Sequence, residues 1–248
     1  MAGTSKSYKF TKKDTDVIVS MGYRLHGITQ LAFGGFMHKN YPRFDLAHLL
    51  EQVEQLMVPH AVSKVTRNIF VNGNILEIKM ENDYTGEDDA LIFGRKFYKD
   101  NGILKVKHEF LVFPIPARNK GLNKKVQRAS LEQYLKMGIE IIEVVAGLSK
   151  GAYVWARHGF VAIDPAEMEH ILKRAELLLQ PDQYDIVKII YDDYYNTARK
   201  KYDDFPIYRW ADLPFMQKVL MDCKSQWTGR LDLKNKEQLR KFEEYVAE

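Results

Sequence analysis

The chain of 248 residues is 46% apolar and 28% charged, with 37 Lys and Arg against 33 Asp and Glu and a formal net charge of +4. That apolar share is ample for a core without staples, and a single cysteine, Cys223, excludes an internal disulfide framework and argues against a structural zinc site. Charge so modest and so mixed does not imply generic nucleic-acid binding, and MAGTSKSYKFTKKD has no apolar run behind its lysines, so neither signal peptide nor membrane span is expected and a soluble, cytoplasmic protein is.

Residues 1 to 13 read as a polar, lysine-rich arm. From Asp14, the residues Val17, Ile18, Met21, Leu25 and Ile28 keep helical spacing, with Asp14 or Thr15 as N-cap, and Gly34-Gly35 and Pro42 mark the connection that follows. Asp45 caps a clearer helix that buries Leu46, Leu49, Leu50, Val53, Leu56 and Met57 and stops at Pro59. Strand-like runs follow at hairpin spacing. Asn68 to Val71 and Ile75 to Met80 flank Asn72-Gly73-Asn74, where an Asn-Gly pair accepts the positive φ of a tight turn. Glu81 to Asp89 is a polar loop, Ala90 to Tyr98 the next strand, Lys99 to Gly102 a turn, and Ile103 to Phe113 the returning strand.

The stretch from Lys105 to Phe160 organises the rest. Pro114 and Pro116 end the strand through Val106 to Val112, a basic turn runs through Arg118, Asn119, Lys120, Gly121, Leu122 and Asn123, and Val126, Ala129, Leu131, Tyr134, Leu135 and Met137 give one face of a helix that Gly138 closes. Ile139 to Val145 is an apolar strand, and a short helical stretch leads to Gly159-Phe160. A helix start carries outward N–H groups and a positive dipole, to which Arg118, Lys120, Lys124 and Lys125 add charge, so the turn suits a phosphate. The same basic patch also reads as a nucleic-acid contact or a solvated helix start. Glu109 and Glu143 alternate with apolar neighbours on their strands, as solvated carboxylates or as general bases. His108 and His158 have no partner spacing that suggests a metal and read as surface or satisfied side chains.

Strand, basic glycine turn, helix, strand and helix in this order resemble the acetyl-coenzyme A core of the GNAT (N-acetyltransferase) superfamily over about the central quarter of the chain. The resemblance implies a GNAT-like mixed α/β (α+β) fold, mainly antiparallel, in which central strands splay beside the turn. It implies a GNAT-like acyl-CoA-binding domain over residues 1–163, beyond which the chain leaves the family core and reads as a helical C-terminal extension over 164–248. It further implies acetyl-CoA as the substrate-cofactor, no metal, and a small-molecule or protein amine as acceptor. Phe113, Ile115, Arg118, Lys120, Gly121, Leu122, Asn123 and Lys124 would hold the acetyl-CoA, with Phe110 and Val112 along the cleft and backbone groups from Val112 to Ile115 free to pair with it. Glu109 or Glu143 would be the base and Tyr153 the acid. Two positions depart from the family: Asn123 stands where it carries Gly or Ala, and Trp155 where many members carry an acidic tyrosine.

Beyond Phe160, Asp164-Pro165 opens a helix with Met168, Ile171, Leu172, Ala175, Leu178 and Leu179 as its stripe, up to Pro181. Asp182 to Tyr202 reads as a tyrosine-faced helix, a contact surface for a protein partner or a packing face. An apolar linker from Phe205 to Trp210, a helix from Leu213 to Cys223, an extended segment from Trp227 to Leu233 and a charged helix from Lys236 to Val246 complete the chain. The expected activity is acetyl transfer to an amine. The alternative is a GNAT-like scaffold without chemistry, serving an assembly such as a phage or viral particle, and a nucleic-acid binder at Arg118 is a third reading.

Overall fold

The computed structural model describes residues 8–147, 151–197, 204–222 and 224–247. The architecture is mixed α/β, with mostly antiparallel strands flanked by helices, as expected. The chain divides into two compact units, one of Met1–Glu140 with Val246–Glu248 and one of Ile141–Tyr245. The sequence reading places the division after residue 163. The strand Ile141–Ala146 groups with the C-terminal part because it pairs along its whole length with Trp227–Asp232.

In the first unit, β1 (Arg24–His26), β2 (Val65–Asn72), β3 (Ile75–Asn82), β4 (Ile92–Asp100) and β5 (Ile103–Val112) are hydrogen-bonded in chain order. Every pair is antiparallel except β1 with β2. The hairpin turns fall where Gly73 and the Asn101-Gly102 pair take positive φ. Helices α1 (Lys12–Ser20), α2 (Gln30–Asn40), α3 (Leu46–Met57) and α4 (Leu122–Met137) complete the unit.

Cross-strand register puts Leu76, Phe97 and Val106 in one row and Ile78, Arg95 and His108 in the next, all buried on a single face. Both α3 and α4 lie against this face. Phe97 meets Phe44, just before α3, at 4.9 Å between ring centroids and Tyr134 of α4 at 5.9 Å. Helix α3 buries Leu46, Leu49, Leu50, Val53 and Met57 there, at about 1.5–3 kcal/mol for each large side chain. On the opposite face Glu77, Lys79, Lys96 and Lys107 are half-buried, which gives β3 its strict alternation.

The expected helix from Asp14 to Ile28 stops at Ser20, because Gly22 has φ 91° and Arg24–His26 turns away to pair with β2. Its N-cap is Thr11 rather than Asp14 or Thr15, and the Thr11 amide donates to the Asp14 carboxylate at 2.6 Å. The strand β1 itself escapes the sequence reading. Gly34 and Gly35 lie within α2 rather than in a connection. Helix α3 begins after Asp45, whose carboxylate accepts the His48 amide, as expected.

In the second unit, β6 (Ile141–Ala146), β7 (Val161–Ala162) and β8 (Trp227–Asp232) form an antiparallel sheet with β8 in the middle. The helices are α5 (Gly151–Arg157), α6 (Pro165–Leu178), α7 (Pro181–Asp192), the single turns α8 (Tyr208–Ala211) and α9 (Gln217–Leu220), and α10 (Lys236–Ala247). Among its described residues the C-terminal extension is mainly helical, with β8 as its strand. Asp164 caps α6 by accepting the Ala166 amide at 2.9 Å, as the Asp-Pro pair predicts. The expected helix over 182–202 ends as α7 and gives way to a π turn at Asp193–Thr197, and its remainder lies outside the described residues, as does Cys223. Tyr191 and Tyr195 pack inward, gathering with Trp210 around the buried Phe205. The linker and the helix expected after it fold as the single turns α8 and α9 with a 3-10 turn at Pro214–Met216 between them.

Candidate functional site

Strand β5 ends at Val112 because Pro114 and Pro116 have no amide for the ladder, and the chain makes one 3-10 turn over Ile115–Ala117. Arg118 then latches the loop. Its Nε donates to the Phe113 carbonyl and its Nη2 to the Glu87 carbonyl, both at 2.7 Å. Asn119 and Gly121 both take left-handed φ, 61° and 71°, which reverses the chain into α4.

Gly121 is the N-cap of α4 and brings no side-chain acceptor to the first amides of that helix. A Cβ built on it would meet nothing within 4 Å, so the approach to the helix start is open on that side. Lys120 and Lys125 are exposed, while Leu122, Asn123 and Lys124 are half-buried. The Asn123 side chain accepts from Gln127 one turn along, at 3.4 Å.

The expected backbone edge from Val112 to Ile115 is largely spent. Val112 pairs with Ile92, the Phe113 carbonyl is taken by Arg118, Pro114 has no N–H, and the Ile115 amide donates to Asp88 at 2.8 Å. Phe113 is buried, whereas Phe110 and Ile115 are 44% and 50% exposed. Arg118 therefore builds the turn, and Lys120 and Lys124 are the nearest cations to the helix start in sequence.

Glu109 occupies an irregularity that the sequence reading does not foresee. Gly94 pairs with Phe110 and Arg95 with His108, so Glu109 is the extra residue of a β-bulge. Glu109 and Phe110 both stand over Gly94, where an added Cβ would lie 3.4 Å from the Glu109 Cβ and 3.3 Å from the Phe110 ring. Burial, then the neighbouring Glu77, pushes the Glu109 carboxyl above its ordinary value against the opposing pull of Lys107, Lys96 and Lys79. A carboxylate raised in this way is a better proton acceptor near neutral pH.

Under the bulge lies a buried polar group. Nη1 of Arg95 donates to the carbonyls of Gly94 at 2.8 Å and Phe110 at 2.9 Å, and its guanidinium sits 4.6 Å from the centroid of the Phe93 ring. His108 shares a 3.0 Å hydrogen bond with the Tyr134 hydroxyl. Burial, then the charge of Arg95, holds the His108 pKa well below the ordinary histidine value, so the ring is neutral at pH 7. Arg95 is legible only through phase: Phe93, Arg95 and Phe97 alternate with outward residues, so an inward arginine follows once the strand is accepted.

Glu143 and Tyr153 belong to the second unit. Glu143 is half-buried on β6, opposite Arg230 of β8. Tyr153 is half-buried on α5 with the Arg157 guanidinium 5.8 Å from its ring centroid. Trp155, at the position expected to carry an acid, packs edge-on against Phe160 at 4.9 Å, and His158 stacks on Tyr245 at 3.4 Å. The first unit thus contains Glu109 on its sheet and Phe113, Ile115, Arg118, Lys120, Gly121, Leu122, Asn123 and Lys124 around the turn, while Glu143 and Tyr153 belong to the other unit.

Among the described residues no group of three or more His, Cys, Asp or Glu is arranged to hold a metal ion, and no helix is long and apolar enough to cross a membrane. No family model, curated protein or solved structure matches the chain.

Proposed function

We propose that the protein is a GNAT-type N-acyltransferase that moves an acetyl group from acetyl-CoA to an amine. The observation that carries this reading is the start of α4: a left-handed glycine without a side-chain cap, open on its outer side, at the head of a sixteen-residue helix. These residues fit a pyrophosphate, with the amides from Lys120 to Asn123 as donors and Lys120 and Lys124 adding charge. Acetyl-CoA would supply an activated acyl thioester. Glu109 would take the proton of the acceptor amine, directly or through water, and its raised pKa supports that role. Tyr153 is proposed as the acid, Glu143 as an alternative base, and Phe113 and Ile115 as walls of the acyl-donor site. The acceptor is a small-molecule or protein amine, and the setting is the cytoplasm.

A scaffold reading is favoured by other observations. Arg118 is committed to backbone carbonyls, and Trp155 is packed against Phe160 where an acid is expected. Such a scaffold would use its C-terminal helices to join a larger assembly, for example a phage particle.

Thermal unfolding with and without acetyl-CoA separates the two, since a ligand that binds only the native state raises the midpoint. The enzyme reading expects a rise that Lys120→Ala and Lys124→Ala together reduce. No rise at saturating acetyl-CoA leaves the scaffold.

A further inference from the structure

We propose that Arg95 is a positioning residue for Glu109: its buried guanidinium holds the bulge that decides where the Glu109 carboxylate stands and how deeply it is sunk among its neighbours. The proposal rests on the reading of Glu109 as a base and adds to it a residue that touches no substrate.

The geometry is specific to the bulge. An extra residue breaks the ladder locally and leaves backbone groups to find other partners. Here the partner is a single nitrogen, Arg95 Nη1, which reaches the Gly94 carbonyl on one strand and the Phe110 carbonyl on the other. Those two residues pair with each other, so the guanidinium bridges β4 and β5 beneath the inserted Glu109. Gly94 completes the arrangement from the opposite face, since its missing side chain leaves the room into which Glu109 and Phe110 lean.

The cost of this arrangement argues that it has a use. Arg95 is wholly buried, and desolvation lowers its pKa, with the Tyr134 phenol and then Glu109 favouring the charge. An apolar side chain would suit the row between Ile78 and His108 at far lower cost. What an apolar residue cannot do is tie two carbonyls across a broken ladder. The bulge in turn sets Glu109 among Glu77 and Lys79 of β3, Lys96 of β4 and Lys107 of β5.

The titration of the Glu109 side-chain carboxyl, followed by carbon NMR on the full chain, tests the proposal because two mechanisms predict opposite signs. In Arg95→Met, loss of a nearby cation alone raises a carboxyl pKa. Release of the bulge instead returns Glu109 to water and lowers it. We expect a fall of about half a pH unit or more. Amide exchange at Phe110 and Leu111 should become about tenfold faster, while amides between β2 and β3 keep their protection. A rise or no change in the Glu109 titration overturns the proposal. Should Arg95→Met not fold, Arg95→Lys decides by the same criterion, since it keeps a charge in place and any fall then comes from geometry. The titration uses no acyl donor, so it can succeed where the acetyl-CoA shift fails, and the reverse. Where both hold, the acid limb of turnover against pH moves down with the Glu109 pKa in the variant, at unchanged KM for acetyl-CoA.

Discussion

Arg67 of β2 grips Glu54 of α3 with two parallel hydrogen bonds, Nε to Oε1 and Nη2 to Oε2, each 2.7 Å long. The pair is largely shielded, with side-chain exposures of 19% and 15%, and it joins α3 to the sheet. The carboxylate holds Arg67 above its usual pKa, and the buried Tyr23 phenol is pushed up by desolvation and then by the same carboxylate. Glu54→Gln or Arg67→Met should each cost about 2 kcal/mol in denaturant unfolding, because each strands a half-buried partner. The double variant should cost less than the sum, and strict additivity would mean that the pair is not coupled.

His108 makes stability fall on the acid side. Its folded pKa lies below the ordinary 6.5, so as pH drops through 6.5 the unfolded chain takes a proton that the native state refuses. The ring therefore contributes nothing to the pH dependence above that point and a loss of up to about 1.4 kcal/mol per pH unit below it. Unfolding free energies of wild type and His108→Gln between pH 7 and pH 5 should diverge in slope by this amount. Parallel slopes would mean that the native protein accommodates the imidazolium.

Gly27 cannot become alanine without moving a strand. Its φ is 77°, and a Cβ would lie 2.1 Å from the Val71 carbonyl oxygen of β2. Gly27→Ala should cost about 2–4 kcal/mol, from left-handed strain and the collision together. A lowered thermal midpoint with β1 amides losing protection first is the expected pattern.

Gly121 differs instructively, since it has positive φ but open space. Gly121→Ala should cost about 1 kcal/mol from strain alone, and Gly121→Asn less, because asparagine tolerates this region. If acetyl-CoA binds there, both Gly121→Ala and Gly121→Asn should reduce its thermal shift, since either side chain enters the open space at the helix start. Equal shifts in both variants and in wild type would separate the turn from the ligand.

Asp164→Ala removes the acceptor for the Ala166 amide and should cost about 1 kcal/mol, whereas Asp164→Asn should cost a few tenths. Chemical denaturation of the two variants side by side checks the ordering.

What the sequence made legible followed from local chemistry. Asp45 and Asp164 announce their helices, Asn72-Gly73 its hairpin, and Gly138 the end of α4, because a cap or a positive φ is written in one or two residues. Strand β1 was hidden, since Arg24–His26 is too short for a periodic pattern and extends a helical one by coincidence of Leu25 and Ile28. Gly34 and Gly35 misled because burial of Phe33 and Met37 outweighs the helix penalty of glycine. At the candidate site, the turn and its lysines could be read from sequence, but not the bulge. An inserted residue shows only when two strands are laid in register, and Arg118 looked like a ligand because nothing local reveals that Phe113 and Glu87 claim it.

The three-residue length of β1 carries a last consequence. A sheet margin with a long row of vacant amides and carbonyls is a template on which a second molecule can grow, and aggregation often starts there. Here the first unit's margin is a stub, ended by Gly27 and carrying Arg24 and His26 on its exposed positions. Too short to seed a ladder and charged at one end, it covers Asn68, Ile69 and Phe70 of β2 with a margin that offers a second copy little to extend.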